Sequence, residues 1–414
     1  MSDGQEKPAR FLNMLVARQL DSMTTGNGAY LMVFLRAVRR AGLGVRIVFA
    51  PRRSFGNRPW FSIHPDFTNI SAEIVAPQSV RIGARYWSLS PTVWGRFTVR
   101  LGQEALRRAG LKLKIKSLLG EPLSDGEAAE LAAASDASPA SVVTAEYSPL
   151  GPVLSLLKRP SRKAALLHDL FSLRAAAFRA RGEAPDHHDI TDVEEAAMVS
   201  AADTLVFASA NELEHFRPLT PGASHIWLRP EVPDYPLANG NEPARAVFLG
   251  TRHAGNTDAL RHLIDDVWPL VRERTPAASL WVAGSACEEL SPAQLSAPGV
   301  RIMGRVNDLP SIGGASSIGL APTRIASGVS IKVAEYLRLG MPCIAYPVAL
   351  EGFGHELDDL VDIADGPQAM ADRIVALLPD DSARRRLSEL GRSGAAVRLD
   401  NQEVVNALRA ASGA

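Results

Sequence analysis

The sequence predicts an α/β protein built from two parallel-sheet domains and a linker. Short runs of Val, Ile, Leu, Phe and Ala alternate with helical patterns, the order expected of parallel sheets. That alternation breaks once, from Arg229 to Pro243, a stretch rich in Pro, Gly and Asn with no apolar period. A length of 414 residues is enough for two or three domains, each able to bury a core.

In the first half, strands are expected at Phe11–Ala17, Val45–Ala50, Ser141–Glu146, Ala164–His168 and Thr204–Ala208. Helical patterns fall between them at Ala29–Ala41, Thr92–Ala109 and Ile190–Ala202. After the linker, strands are expected at Ala246–Leu249, Ser279–Ala283, Val300–Met303, Ile318–Ala321, Cys343–Tyr346 and Leu360–Ile363. The intervening helices are Asn256–Arg274, Gly328–Leu339 and Gln368–Leu378, and Asp381–Ala411 reads as helical throughout. The expected boundaries are 1–230 for the first domain, 231–244 for the linker, 245–398 for the second domain and 399–414 for a terminal helix. Ligands of open parallel sheets sit at the carboxyl ends of strands, so two sheets facing each other would line a cleft.

Composition removes several classes. The chain is 46% hydrophobic with 45 basic and 45 acidic side chains, too apolar and too balanced for disorder. No apolar run approaches the roughly 18–20 residues that span a bilayer. Cys287 and Cys343 are too few for a disulfide framework or a cysteine metal site. The first residues, with Arg18 interrupting a short apolar run, do not read as a secretory signal, and the expected compartment is the cytoplasm. The neutral total conceals an asymmetry: residues 1–160 carry a net charge of +9 and the rest −9. A basic first part points to an anionic partner.

Several segments could carry chemistry. Gly26-Asn27-Gly28 opens a helix after the first strand, either as an ordinary helix entry or as a ligand-facing loop that offers backbone N–H groups. Leu31 stands where a dinucleotide fingerprint needs its third glycine, which disfavours a nicotinamide-cofactor site. His168, at the carboxyl end of a buried strand and followed by Asp169 and Arg174, lies on the ligand-bearing edge. Asp186-His187-His188-Asp189 superficially suggests a metal site, but adjacent histidines point apart, and no metal is expected.

The sharpest segment runs from Ala321 to Pro342. A strand ends, a loop carries Ser327, Gly328, Val329 and Ser330, and a helix is expected from about Gly328. First-turn amides, unpaired within the helix, can hold a diphosphate. Lys332 and Glu335, three residues apart, share one face of that helix. At Gly250-Thr-Arg252-His253-Ala-Gly255-Asn256 another glycine turn carries an arginine, either a plain surface residue or a phosphate ligand.

Finally, Arg96 to Lys116 interleaves seven basic side chains with apolar residues and a single glutamate. It reads as a solvated helix face or as a surface for an anionic membrane. Nucleic acid is not expected, because no binding module appears.

At these positions the chain resembles glycosyltransferase family 4, the retaining sugar-nucleotide transferases of the GT-B fold. The similarity is strongest in the second half. It begins with Val247-Phe-Leu-Gly250, Asn256, Val267-Trp268-Pro269 and Trp281-Val-Ala-Gly284. It continues through Gly299 to Asp308, the Ser327–Glu335 segment, Gly340-Met-Pro342 and Glu351-Gly352. The first half matches more loosely, through Gly26-Asn27-Gly28 and His168-Asp169 to Arg174.

The resemblance implies two Rossmann-like domains, with the last helix crossing back to the first. It implies His168, Asp169 and Lys332 as catalytic residues, with His168 on the transferred sugar. Donor binding would fall to Gly26, Asn27, Gly28, Arg174, Gly250, Arg252, Asn256, Ser327, Gly328, Val329, Ser330 and Glu335, the last on the ribose hydroxyls. The donor would be a UDP- or GDP-sugar, and the acceptor a glycan or polyprenyl-diphosphate-linked saccharide, with no cofactor or metal. The chain departs from the family's Glu-x7-Glu motif, because Ser327 occupies the first glutamate position. Alternative readings are an inactive sugar- or nucleotide-binding relative, a nucleotide-sugar epimerase, a phosphorylase, or an NADP enzyme using Arg52 and Arg53.

Overall fold

The computed structural model describes residues 10–22, 26–108, 120–180, 182, 184–185, 187–236, 242–306, 308–325 and 328–413. The chain divides into two compact units. One comprises 1–208, 212–228 and 401–414, and the other 209–211 and 229–400.

The first unit holds β1 (Phe11–Val16), β2 (Gly44–Phe49), β3 (Trp60–Ser62), β4 (Glu73–Val75), β5 (Ser79–Ile82), β6 (Arg85–Ser88), β7 (Val142–Glu146), β8 (Arg162–Leu167), β9 (Thr204–Phe207) and β10 (Ser224–Trp227). Seven of these form one parallel sheet in the order β10-β9-β8-β7-β1-β2-β4. Nearly every residue of β1, β2 and β7 is buried, as continuous apolar runs in a parallel sheet should be. The helix Gln402–Ser412 belongs to this unit and packs on the helix Gly26–Arg40.

A small antiparallel sheet, β3-β6-β5, was not expected from the sequence. Its strands are three or four residues long, too short for a clear period, and aromatic pairs hold it. Trp60 lies 5.1 Å from Trp87, and Phe61 stacks on Tyr86 at 5.2 Å.

The second unit holds β11 (Arg245–Leu249), β12 (Leu280–Ala283), β13 (Val300–Gly304), β14 (Ser317–Ala321), β15 (Cys343–Ala345) and β16 (Asp362–Ile363). They form one parallel sheet in the order β13-β12-β11-β14-β15-β16. Its core gathers Phe248, Leu263, Val267, Trp268, Leu280, Ile318, Ile344 and Ile374. Burial of each such side chain stabilises by about 1.5–3 kcal/mol.

Two helix expectations need correction. The segment 256–274 is not one regular helix, because a π-turn at Leu263–Val267 precedes Trp268–Arg274, where Pro269 lacks an N–H to continue the ladder. The helix expected from Gly328 begins at Ile331. The helical segment expected over Asp381–Ala411 comprises Asp381–Arg398 and the terminal helix Gln402–Ser412, and the break between them coincides with the passage from the second unit to the first.

Candidate active site

In the second unit, three neighbouring strands finish at glycines: Gly250 follows β11, Gly284 follows β12 and Gly304 closes β13. Gly284 has φ +104°, and a Cβ there would fall on the Gly250 carbonyl. Its N–H donates to the Gly304 carbonyl at 2.6 Å, while Ala286 N–H donates to the Gly250 carbonyl at 3.0 Å. Only glycine permits this backbone approach, so the sequence keeps side chains away from the strand ends.

In the same unit the helix Ile331–Arg338 carries the pair singled out from sequence. Tyr336, fully buried, fixes its position. Its hydroxyl donates to the Leu320 carbonyl at 3.0 Å and accepts from Leu249 N–H at 2.8 Å, joining β14 and β11. Its ring lies where a side chain on Gly319 would otherwise sit.

One turn earlier, Lys332 Nζ donates to Asn256 Oδ1 at 2.6 Å and lies 4.6 Å over the Phe248 ring. Burial lowers its pKa to about 8, against the opposing pull of Glu335. Burial likewise pushes the Glu335 carboxyl up, against the pull of Lys332. No hydrogen-bond donor among the described residues meets the half-buried Glu335 carboxylate. A carboxylate in that state is available to accept from an incoming donor.

The loop before this helix differs from expectation. Gly328 has φ +73°, a left-handed conformation incompatible with a first helical turn. Ile331 N–H turns back to the Val329 carbonyl, and Val333 N–H to that of Ser330, each at 3.0 Å. The loop rests on two glycines: a Cβ on Gly352 would lie 2.6 Å from the Gly328 carbonyl, and one on Gly255 2.9 Å from that of Ile325. Ser327 lies outside the described residues.

Arg252 is brought to the same strand edge through its N–H, which donates to Ser285 Oγ at 2.9 Å. Its guanidinium is 63% exposed and lies 3.7 Å from Glu288 and 3.9 Å from Glu289, loose pairs of little energy. These pairs turn it toward the acids of the 285–289 turn rather than toward Lys332.

In the first unit, His168 follows β8 and is buried. Its Nε2 lies 3.1 Å from Glu146 Oε1, at the end of β7. The same oxygen accepts from Arg18 Nε at 3.0 Å and Nη2 at 2.7 Å, and Arg18 Nη2 also reaches the Asn27 carbonyl at 3.1 Å. Asn27 thus joins the His168 cluster through Arg18. Gly26, Asn27 and Gly28 stand in the first turn of a helix rather than in a loop before it.

Asp169 is half-buried, and its charge, after burial, helps push the Tyr147 hydroxyl well above its usual pKa. Arg174 lies in the helix Phe171–Ala180, whose first amides are already taken: Phe171 and Ser172 N–H donate to the buried Glu195 carboxylate at 3.1 and 2.8 Å. That helix start is closed to a phosphate.

Sequence reasoning missed Glu146, Arg18, Tyr147 and Tyr336. Tyr147 carried a signal only in three dimensions: φ +67° on a non-glycine residue at a strand end. Arg52 and Arg53, needed by the NADP reading, are used internally. Arg52 pairs with Glu130 at 3.1 Å, and Arg53 donates to the Glu121 and Pro122 carbonyls at 3.1 and 3.0 Å. His187 Nε2 meets the Phe171 carbonyl at 2.9 Å and Asp189 pairs with Arg179 at 2.7 Å, while Asp186 lies outside the described residues. Among the described residues no group of three or more His, Cys, Asp or Glu could hold a metal.

Comparison with known families meets this geometry in the second unit. Residues 243–380 match the family described as "Glycosyl transferases group 1". No curated protein matches the chain in sequence. Solved structures similar to the whole chain include sucrose-phosphate synthase from Thermosynechococcus elongatus, at 14% identity and TM-score 0.61, covering 96% of this chain and 97% of that one. The Anabaena protein HepE in complex with UDP is 11% identical with TM-score 0.60, covering 96% and 98%. An E. coli trehalose-6-phosphate protein bound with UDP-2-fluoro glucose is 12% identical with TM-score 0.55, again covering 96% and 98%. At such identities the likeness is one of fold, and the fold is GT-B.

Proposed function

We propose that the chain is a retaining, metal-independent glycosyltransferase of the family 4 type. It moves a sugar from a UDP- or GDP-sugar to a glycan or polyprenyl-diphosphate-linked acceptor in surface polysaccharide assembly. The observation that carries this is the unpartnered Glu335 carboxylate one turn from the buried Lys332, within the residues that match glycosyl transferases group 1. A carboxylate lacking donors suits the paired hydroxyls of a ribose, and a buried ammonium suits a diphosphate. UDP and a UDP-sugar analogue bound by two similar structures favour uridine as the base.

As the glycosidic bond breaks, charge grows on the leaving phosphate and the sugar becomes oxocarbenium-like. Lys332, held by Asn256 and Phe248, is preorganised to meet the phosphate charge. His168 and Asp169 are assigned to the transferred sugar. Gly250, Gly328, Val329, Ser330 and Arg252 are assigned to the diphosphate, and Gly26, Asn27, Gly28 and Arg174 to the donor's sugar end. Ser327 completes the donor set.

We assign the protein to the cytoplasmic face of a membrane. Among the described residues no helix is long and apolar enough to cross one. The helix Pro91–Arg108 nevertheless exposes Trp94, Val99, Leu101 and Leu106, and the neighbouring hairpin exposes Ile82 beside Arg81 and Arg85. Apolar side chains flanked by arginines fit an anionic lipid surface. Lys112, Lys114 and Lys116 lie outside the described residues. Vesicles containing anionic lipid should sediment the protein, and the variant with Trp94, Leu101 and Leu106 changed to Ser should stay in solution.

The central test is thermal stabilisation by UDP, GDP, ADP and TDP with EDTA present. One nucleoside diphosphate should add roughly 2–3 kcal/mol at about a hundredfold excess over its Kd, and Glu335→Ala should lose the effect. No stabilisation by any of them would overturn the reading. Transfer assays with the matching sugars, with NMR of the product anomer, then test turnover and retention.

A further inference from the structure

His168 would be an ordinary buried histidine but for what surrounds its two nitrogens. Nε2 faces Glu146 Oε1 at 3.1 Å, and both side chains are almost completely buried, 2% and 1% exposed. Nδ1 is buried and has no partner among the described residues. Tyr147 packs its ring 4.7 Å from the imidazole, Tyr30 meets it edge-on at 6.5 Å, and the Tyr147 hydroxyl is also buried without a partner.

We infer that Glu146 is a positioning residue that sets the His168 tautomer, keeping the proton on Nε2 and leaving Nδ1 as the acceptor for a substrate hydroxyl. An ionised carboxylate can only accept, so the nitrogen facing it must carry the hydrogen. Burial alone would push the Glu146 carboxyl up, but Arg18 and then His168 outweigh burial and hold it below its usual value. Arg18 also balances the carboxylate's charge, with Nη2 2.7 Å from Glu146 Oε1. Arg18, Glu146 and His168 stand at or just past the ends of β1, β7 and β8, three adjacent strands, so the sheet itself holds the ring.

The assignment of Nδ1 to a sugar hydroxyl rests on the proposed transferase function, whereas the tautomer does not. The first measurement is therefore spectroscopic: long-range 1H–15N correlation on histidine-labelled protein, with His168 assigned by loss of its signals in His168→Asn. Wild type should show the neutral Nε2–H form. Glu146→Gln, whose amide can donate as well as accept, should show the Nδ1–H form or a mixture. A wild-type Nδ1–H form, or a spectrum unchanged by Glu146→Gln, overturns the inference.

Kinetics supply the second arm. Glu146→Gln should lower kcat by roughly 10–100-fold, the range found when partners that orient metal-bound histidines are removed. KM for the donor should change little. In the His168→Ala background the Glu146 change should have no further effect, whereas additive losses overturn a role exerted through His168. Glu146→Asp, which keeps the charge, should retain the Nε2–H form and so guards against a folding defect in Glu146→Gln. If wild type transfers no sugar from any donor, the transferase reading fails while the spectra still decide the tautomer.

Discussion

Lys332 Nζ and Asn256 Oδ1 lie 2.6 Å apart, although 76 residues separate them in the chain. The bond joins the helix Ile331–Arg338 to the helix Ala254–His262, which follows β11. It gives a buried ammonium one fixed acceptor and, among the described residues, no carboxylate within ion-pair distance.

Lys332 makes the first prediction. Its pKa is about 8 in the fold against 10.5 for the free side chain, so between these values the unfolded chain holds more protons. Stability without ligand should therefore rise as pH goes from 8 to 10.5, by up to about 3 kcal/mol. Urea denaturation at about pH 7.5 and about pH 10 measures it, and Lys332→Met should remove the slope. Diphosphate binding should show the opposite dependence, with proton uptake near pH 8 and affinity falling above it, read by calorimetry in buffers of different ionisation enthalpy.

Glu335→Gln should weaken nucleoside diphosphate binding by about 10–100-fold, the loss of charge-assisted hydrogen bonds. The preference for UDP over 2′,3′-dideoxy-UDP should shrink toward unity in the variant. A variant that keeps the full preference would show that the ribose is read elsewhere.

Tyr336→Phe removes the hydroxyl that joins Leu249 N–H to the Leu320 carbonyl, leaving both buried groups short of a partner. Stability should fall by about 1–3 kcal/mol in equilibrium denaturation. Donor affinity should fall with it, because the same side chain seats Lys332 and Glu335.

Gly352→Ala tests the loop. Its Cβ would meet the Gly328 carbonyl at 2.6 Å and Val329 Cα at 2.8 Å, so that backbone must move. Donor Kd should rise by about tenfold, while the melting temperature should fall by only a few degrees, a split that separates a displaced loop from general unfolding.

The alternation of strand and helix and the placing of Lys332 and Glu335 on one helix were readable because local periodicity records burial along one element. Tyr336 on the same helix gave no such signal: an aromatic residue on an apolar face looks like core, and only the approach of Gly319 shows why it is needed. The first unit makes the same point more strongly. His168 stands out as a histidine at a strand end, but Glu146 and Arg18 stand at or just past the ends of other strands, 22 and 150 residues away, and no sequence period joins them. Chain order determined which residues end each strand. Only the packing of β1, β7 and β8 side by side decided that three such ends would share one buried charge, because a parallel sheet brings together ends that the sequence keeps far apart.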